Sequence, residues 1–395
     1  MAAPNPSTMD PAASIALIKS NLAEVLNPEI IDDVILTQKR PLKVYWGTAT
    51  TGRPHCAYFV PIIKIAELLA AGCHVKILLA DIHGYLDNMK APLELVEFRA
   101  AYYSRLIKAL LRAVGVDLSL LEFVLGSSYQ LGKEYTMDRF KLEGVTRISV
   151  AQKAGAEALD EQYLDVDAQF GGVDQRKIFT FAMENLPRIG YKVRAHLMNT
   201  MIPGLGEAAK MSASDPDSKI DLLEGDKGVE KKLKKAVCVP RKVEGNGLIA
   251  FVEHAKYVVE RREAEPLVYE DVEALKKDYE ADILTPQLLK SSLTAALNSL
   301  LEPIRAEFAA DPEWQEIEAK AYPVVKVEKI KTKVKKDKGD PAKRAAAAAA
   351  RKGGVVAQPD GSVEASSEAV KEEVVLGTGT GVDGVAEKLG EAKVE

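Results

Sequence analysis

The strongest constraint on this chain is an alternation of two apolar patterns between residues 42 and 125. Leu42–Trp46 is a short apolar run, followed by a glycine-punctuated turn. Tyr58–Ala71 then repeats its apolar residues at helical spacing and stops near Gly72. Val75–Ala80 is a second run, apolar apart from Lys76. Leu93–Val114 is a long segment with Leu106, Ile107, Leu110, Leu111 and Val114 on one stripe, stopped by Gly115. Leu121–Leu125 is a third run. Strand–helix–strand order predicts an α/β fold with a parallel sheet and right-handed crossovers. Ligands of such sheets sit at the carboxyl ends of the strands. Ahead of this region, Ile15, Ile18, Leu22, Val25 and Leu26 predict a helix over 15–26, with Pro28 shortly after.

Past about residue 225 the pattern turns helical. Thr285-Pro286 is a helix start, with Thr as N-cap and Pro in the first turn. Leu289, Leu293, Leu297, Leu300, Leu301 and Ile304 follow at helical spacing, and a smaller all-α domain is expected to end near Tyr322-Pro323. The remaining residues are low-complexity. Residues 326–352 carry eleven Lys/Arg against three acids, and residues 353–395 carry three Lys against nine acids. Such a tail buries too little apolar surface to offset its ordering entropy, so disorder is expected. Its basic part is either a contact for RNA phosphates or a solubilising linker. A net charge of −5 does not exclude nucleic acid, since a local basic face suffices. No apolar stretch approaches the ~20 residues of a membrane span, and no secretory signal pattern is visible at the N-terminus. Cys56, Cys73 and Cys238 have neither metal-site spacing nor a disulfide pattern, which suits a reducing, cytoplasmic setting with buried thiols.

The segment richest in chemistry is Tyr45-Trp-Gly-Thr-Ala-Thr-Thr-Gly-Arg-Pro-His-Cys-Ala-Tyr58, which leaves the first strand and opens a helix. Gly47 and Gly52 allow close backbone approach to a ligand, and a helix N-terminus favours an anion. His55 lies where its ring could donate to a phosphate. The Gly47-x4-Gly52 spacing half-matches a P-loop, but Arg53-Pro54 stands where that loop needs Lys and a hydroxyl. No dinucleotide glycine fingerprint follows the strand either.

Pro54-His55-Cys56-Ala57-Tyr58 resembles the His-Ile-Gly-His signature of class I aminoacyl-tRNA synthetases, in its archaeal and eukaryotic tyrosyl form. Lys210-Met211-Ser212-Ala213-Ser214 is similar to the second signature of that class, Lys-Met-Ser-Lys-Ser, with Ala213 in place of the second Lys. Val166-Asp-Ala-Gln-Phe-Gly-Gly-Val-Asp-Gln-Arg-Lys177 is similar to the motif of the tyrosyl enzymes. The resemblance implies a Rossmann-like catalytic domain over 1–225, a dimer-forming insertion near 115–150 and a helical anticodon-binding domain over 226–325. It implies a tyrosine–tRNA ligase with ATP as co-substrate, Mg²⁺ carried by the nucleotide, tRNA(Tyr) as partner and a homodimer. Gly47, Gly52, His55, Tyr58, Lys210 and Met211 would face ATP. His55 would hold its phosphates, and Lys210 would neutralise the departing pair. Ser212 and Ser214 belong to the loop that closes over it. Tyr45 and Asp160 would bracket the substrate's phenol hydroxyl, and Gln175 would help hold its ammonium. No protein-held metal site is expected.

The chain departs from that pattern before Asp160. The family's Tyr-Pro-x-x-Gln element, whose Tyr and Gln contact the amino acid, is missing: Lys153-Ala-Gly-Ala-Glu157 runs straight into Ala158-Leu-Asp160. A smaller shortening lies between His254 and Val268. Two alternatives therefore stay open beside the active ligase: an impaired synthetase, or a scaffold or RNA-binding protein on the inherited fold. Tryptophan specificity is disfavoured because an indole has no hydroxyl for Asp160 to receive. Taken singly, each residue also has an ordinary role. His55 could cap a helix, Tyr45 could fill the core, Asp160 could be a plain helix acid, and Gln175 could join a network with Asp174 and Arg176. Lys210 could be a solvated lysine, and His83 either lines the pocket or sits satisfied in the core. Glu230–Lys235 reads as a solvated helix face with tRNA contact as an alternative.

Overall fold

The computed structural model describes residues 9–86, 92–201, 203–205, 219–252, 257–261, 264–269 and 271–323. Residues Met1–Lys326 group as one compact unit. Its centre is a six-stranded sheet of β1 (Glu24–Leu26), β2 (Lys43–Ala49), β3 (His74–Ala80), β4 (Leu121–Leu125), β5 (Ala168–Gly172) and β6 (Ala195–Asn199), in the order β1-β6-β5-β2-β3-β4. The three predicted strands and the parallel pairing among β2, β3, β4, β5 and β6 are present. The helices Phe59–Ala70 and Leu93–Ala113 occupy the predicted positions, and Leu106, Ile107, Leu110 and Leu111 of the second are fully buried. Gly115 ends that helix at φ +81°, a left-handed conformation in which Gly115 N–H and Val116 N–H donate back to Arg112 and Leu111 carbonyls at 2.9 Å.

The sheet differs from expectation at one edge. The N-terminal helix spans only Pro11–Lys19, capped by Asp10, and Glu24–Leu26 is a strand rather than the end of a helix over 15–26. These residues pair antiparallel with β6, Glu24 opposite Met198 and Leu26 opposite His196, so the sheet is mixed. The β6 edge offers unpaired backbone groups that a short extended segment satisfies, which outweighs helical spacing read over a few apolar residues.

The strand order places a topological switch point between β2 and β5, because β3 and β4 continue on one side of β2 while β5 and β6 continue on the other. The carboxyl ends of β2 and β5 therefore open the crevice in which a ligand can sit. The helix Ile148–Tyr163 leads into β5 and runs unbroken through residues 153–158, so the two flanks of the missing element are fused into one helix. β5 and β6 keep a five-residue parallel register despite that fusion.

Beyond residue 225 come the helices Asp226–Lys235, Val272–Glu280, Pro286–Ala310 and Pro312–Ala321, but the region is not all-α as expected: an antiparallel ribbon of β7 (Tyr257–Arg261) and β8 (Ala264–Tyr269) lies among them, its backbone groups paired by the two strands themselves. Thr285 caps the long helix as predicted, its hydroxyl accepting from Leu288 N–H at 3.4 Å. Leu289, Leu293, Leu297, Leu301 and Ile304 are buried, whereas Leu300 is on the exposed side. Trp314 is buried against Phe308 and Tyr102, and Arg105 pairs with Asp311 and Glu313. These contacts seat the last helix on Leu93–Ala113. In Asp226–Lys235, Val229 and Leu233 face inward, and Lys232 ties back to Glu224 at 2.6 Å. The tail 326–395 lies outside the described residues.

Candidate active site

The first half of the site is built where β2 ends. His55 is extended (φ −135°, ψ 172°) and caps the short turn Cys56–Tyr58 that starts the Phe59–Ala70 helix. Its backbone is held by a bridge to Asp221, and Cys56 N–H donates to the Ile220 carbonyl at 2.9 Å. Its ring meets Tyr58 edge-on at 5.7 Å, and among the described residues its buried Nδ1 has no hydrogen-bond partner. Burial, reinforced by the Lys219 charge, lowers the imidazole pKa to about 4. The ring is thus neutral near pH 7 and can serve a phosphate through one N–H, without adding charge. An open cleft of about 190 Å³ lies against it, lined by Trp46, His55, Tyr58, Gly172, Asp174 and Asn199 among others. These residues come from β2, the turn that follows it, and the carboxyl ends of β5 and β6. The Tyr58 hydroxyl shares a hydrogen bond with Thr48 at 2.9 Å, which fixes its ring.

Gly47 and Gly52 are not among the lining residues. Gly47 lies 3.5 Å, as measured to an added Cβ, from the Tyr45 ring, and the Gly52 carbonyl accepts from Tyr103. Gly52 thereby anchors the turn from behind. Arg53 pairs with Glu318 and stacks over Tyr322 at 4.9 Å, so the last helix holds the same turn. Lys210, Met211, Ser212 and Ser214 lie outside the described residues.

The second half gathers around Asp160, which is buried one turn before the end of the Ile148–Tyr163 helix. Three groups converge on its Oδ1: Tyr129 hydroxyl at 2.7 Å, Gln130 Nε2 at 2.8 Å and Tyr135 hydroxyl at 3.1 Å, the last sharing its one proton with the Ala156 carbonyl at 2.8 Å. Among the described residues nothing donates to Oδ2. Burial raises the Asp160 pKa to about 7 against the pull of these three donors. Tyr45 is fully buried, and its hydroxyl donates to the Glu157 carbonyl at 3.2 Å. Burial and the nearby Asp160 and Glu157 charges push its phenol pKa well up, so it stays a neutral donor. Gln175 folds back over β5, its Oε1 accepting from Gly172 N–H at 3.1 Å while its Nε2 donates to Glu157. An added Cβ on Gly171 would collide with Gln175 Oε1 and come within 2.9 Å of Phe179. The Gly171-Gly172 pair is what lets this glutamine lie there.

Tyr45 and Gln175, far apart in sequence, are thus brought together through Glu157, one turn before Asp160 on the same helix, while His55 and Tyr58 line the cleft. Sequence reasoning missed Tyr129, Gln130, Tyr135, Glu157 and Gln169. The first three lie just past the carboxyl end of β4, a position that topology marks for ligand chemistry. His83 sits in the short helix Asp81–Leu86 after β3 and engages neighbouring groups.

A mixed sheet with a ligand crevice at its switch point, and a His-bearing turn over that crevice, fit the class I aminoacyl-tRNA synthetase architecture that the sequence resembles. The family model described as tRNA synthetases class I (W and Y) matches residues 37–153 and 157–302. Its interruption falls where the family's Tyr-Pro-x-x-Gln element is missing. The cytoplasmic tyrosine–tRNA ligase of Saccharomyces cerevisiae is 51% identical over 367 residues, covering 84% of this chain and 93% of that one. The cytoplasmic tyrosine–tRNA ligase of Danio rerio is 49% identical over 342 residues, covering 80% of this chain and 64% of that one. The crystal structure of tyrosyl-tRNA synthetase from Archaeoglobus fulgidus, complexed with L-tyrosine, superposes with a TM-score of 0.69 at 32% identity, covering 75% of this chain and 99% of that one. The chain belongs to the class I tRNA synthetases of the tryptophan and tyrosine group, in their tyrosyl branch.

Proposed function

We infer that this chain is a tyrosine–tRNA ligase that activates L-tyrosine with ATP and passes the tyrosyl group to the 3′ end of tRNA(Tyr). The observation that carries the specificity is the Asp160 carboxylate. Tyr129 and Gln130, with Tyr135 shared between Asp160 and the Ala156 carbonyl, hold one oxygen, which leaves the other for a further donor, and the phenol of tyrosine supplies one. Phenylalanine leaves Oδ2 without that donor. A site with dedicated hydrogen-bond partners of this kind separates the two amino acids by ~10⁴–10⁵-fold, a magnitude measured on a tyrosyl enzyme of this same class.

In the reaction the tyrosine carboxylate attacks the α-phosphorus of ATP and pyrophosphate leaves. The protein's share is positioning and electrostatics. His55 donates to the phosphates as a neutral imidazole, and Lys210 neutralises the leaving pair. Mg²⁺ would ride on the nucleotide's phosphates. A terminal ribose hydroxyl of the tRNA then attacks the adenylate carbonyl and AMP leaves. Residues 226–325 would read the anticodon, and the basic stretch 326–352 would add phosphate contacts. The protein would work in the cytoplasm, as its relatives' names state for them.

A homodimer fits the exposed apolar residues of the segment near 115–150. Leu131, Met137, Phe140 and Ile148 are 70%, 49%, 59% and 58% exposed, and such a concentration of apolar side chains favours a partner surface. The test of the function is amino-acid-dependent ATP–pyrophosphate exchange with tyrosine, phenylalanine and tryptophan. Exchange with tyrosine alone is expected. A folded protein that binds tRNA and exchanges with none of the three would instead be a scaffold.

A further inference from the structure

We propose that this chain carries a second ligand site, at the end of the sheet opposite the catalytic crevice, for a small amphipathic carboxylate: an apolar body with one anionic head. The site is independent of the ligase reading. It is a cavity of about 450 Å³, within the size range of small-molecule pockets. Leu42, just ahead of β2, and Cys73, just ahead of β3, line it, so it lies at the amino ends of strands whose carboxyl ends face the crevice. Ile18 of the Pro11–Lys19 helix joins them, and all three are buried. Burial pushes the Cys73 thiol up to about 12, which makes it an apolar wall rather than a nucleophile. The Ser14 hydroxyl, also in the lining, is already spent on the Ala71 carbonyl at 2.6 Å. The interior therefore suits an apolar body. Met9 and Leu36 carry that apolar lining out to the surface, at 36% and 51% exposed.

Two departures from ordinary backbone meet at this cavity. Asp33–Thr37 is a π-helical turn, in which Gln38 N–H donates five residues back to the Asp33 carbonyl at 2.9 Å. Such turns are rare and are found frequently at functional sites. This one carries Ile35 and Leu36 into the lining. Two residues on, Lys39 holds φ +51°, a left-handed conformation that a lysine adopts at an energetic cost. Lys39 and Arg40 both belong to the lining, but their charges differ in fate. Arg40 is neutralised: its Nη1 and Nη2 donate to Asp167 at 2.6 and 2.8 Å, and its Nε donates to Gln38 at 2.8 Å. Lys39 is exposed, and among the described residues no carboxylate pairs with it. No Asp or Glu is among the described lining residues either. An apolar cavity thus has one uncompensated cation at its rim. A cationic ligand is repelled there, and a neutral one leaves the ammonium unused. A single lysine matches the one charge of a carboxylate better than the near-double charge of a phosphate monoester.

Calorimetric titration of the full chain with decanoate, below its aggregation concentration, tests the site. Saturable binding of one decanoate per chain is expected, with its affinity unchanged within about twofold when ATP or L-tyrosine is added singly. Lys39→Glu should weaken decanoate by about threefold to tenfold, the scale of a solvated ion pair and its reversal, and leave uncharged decanol within about twofold. Leu36→Asp places a carboxylate in the apolar lining and should weaken both probes by about tenfold. Both side chains are exposed, so neither variant endangers the fold, and urea unfolding verifies that. Absence of saturable binding, or binding that both variants leave unchanged, would overturn the site. Displacement of decanoate by ATP or tyrosine would place it in the catalytic crevice and overturn the site equally. Binding gained only after removal of residues 1–8 would give the cavity to the chain's own N-terminus, and a changed oligomeric mass in Leu36→Asp would give it to a second copy; either result sinks the proposal.

Discussion

Replacing Asp160 by Asn should make the protein more stable and less selective at once. The carboxyl is 3% exposed, and its pKa lies near 7 in the fold against the ordinary 3.8. The native state therefore holds a proton there that the unfolded chain gives up between about pH 4 and 7. Ionising the buried group costs stability progressively across that window: the cost is absent below it and complete above it. At 1.4 kcal/mol per pKa unit the full cost is about 4 kcal/mol, and the part between pH 5 and pH 7 is about 2–3 kcal/mol. Asn keeps an oxygen for Tyr129, Gln130 and Tyr135, so no donor is orphaned, but it has no charge to bury. Urea unfolding of both proteins at pH 5 and pH 8 cancels any offset that does not depend on pH. The stability advantage of the variant should grow by about 2–3 kcal/mol from the lower pH to the higher. The same three donors hold the Asn carbonyl inward and turn its NH₂ toward the substrate. The ratio of kcat/KM for tyrosine over phenylalanine should then fall by about tenfold to a hundredfold in pyrophosphate exchange. An advantage that stays constant or shrinks with pH would refute the buried-charge account, and an unchanged ratio would refute the assignment of Oδ2 to the phenol.

Lys210→Ala should slow adenylate formation far more than it weakens tyrosine binding, read as kcat against KM in exchange; equal effects on both would remove its role at the leaving phosphates. Gly171→Ala should displace Gln175 by the clash with its Oε1 and destabilise the fold by about 1–3 kcal/mol, seen in urea unfolding together with a raised KM for tyrosine. Phe140→Asp places a charge in the exposed apolar surface and should shift the protein from dimer to monomer in sedimentation; a wild type that is already monomeric would refute the interface. Removing residues 326–395 should leave exchange intact and at most weaken tRNA affinity, most visibly at low salt.

Much of the fold was legible locally. Strands β2, β3 and β4 and the helices after the first two of them follow from apolar runs and periods that need no partner to be recognised, and Thr285-Pro286 announced its helix through capping chemistry alone. The edge strand Glu24–Leu26 was not legible, because what makes it a strand is the free edge of β6, formed by residues far along the chain. The missing element before Asp160 was visible as a departure from the family's motif. That its flanks join into one continuous helix was not, since any spacing of apolar residues is compatible with either outcome until β5 and the Lys133–Val145 helix fix the two ends.

The site divides in the same way. The residue types and order of His55, Lys210, Asp160 and Gln175 belong to the sequence, as did the chemistry they imply, because a motif carries its spacing with it. The convergence of Tyr129, Gln130 and Tyr135 on a single oxygen, and the meeting of Glu157 with two glutamines from β5 and the turn beyond it, depend on side chains that are distant in the chain and adjacent only across the switch point. Hydrogen bonds and charge interactions act over a few ångströms of space, so which acid is satisfied, which holds a proton and which awaits a ligand were decided by the tertiary structure alone.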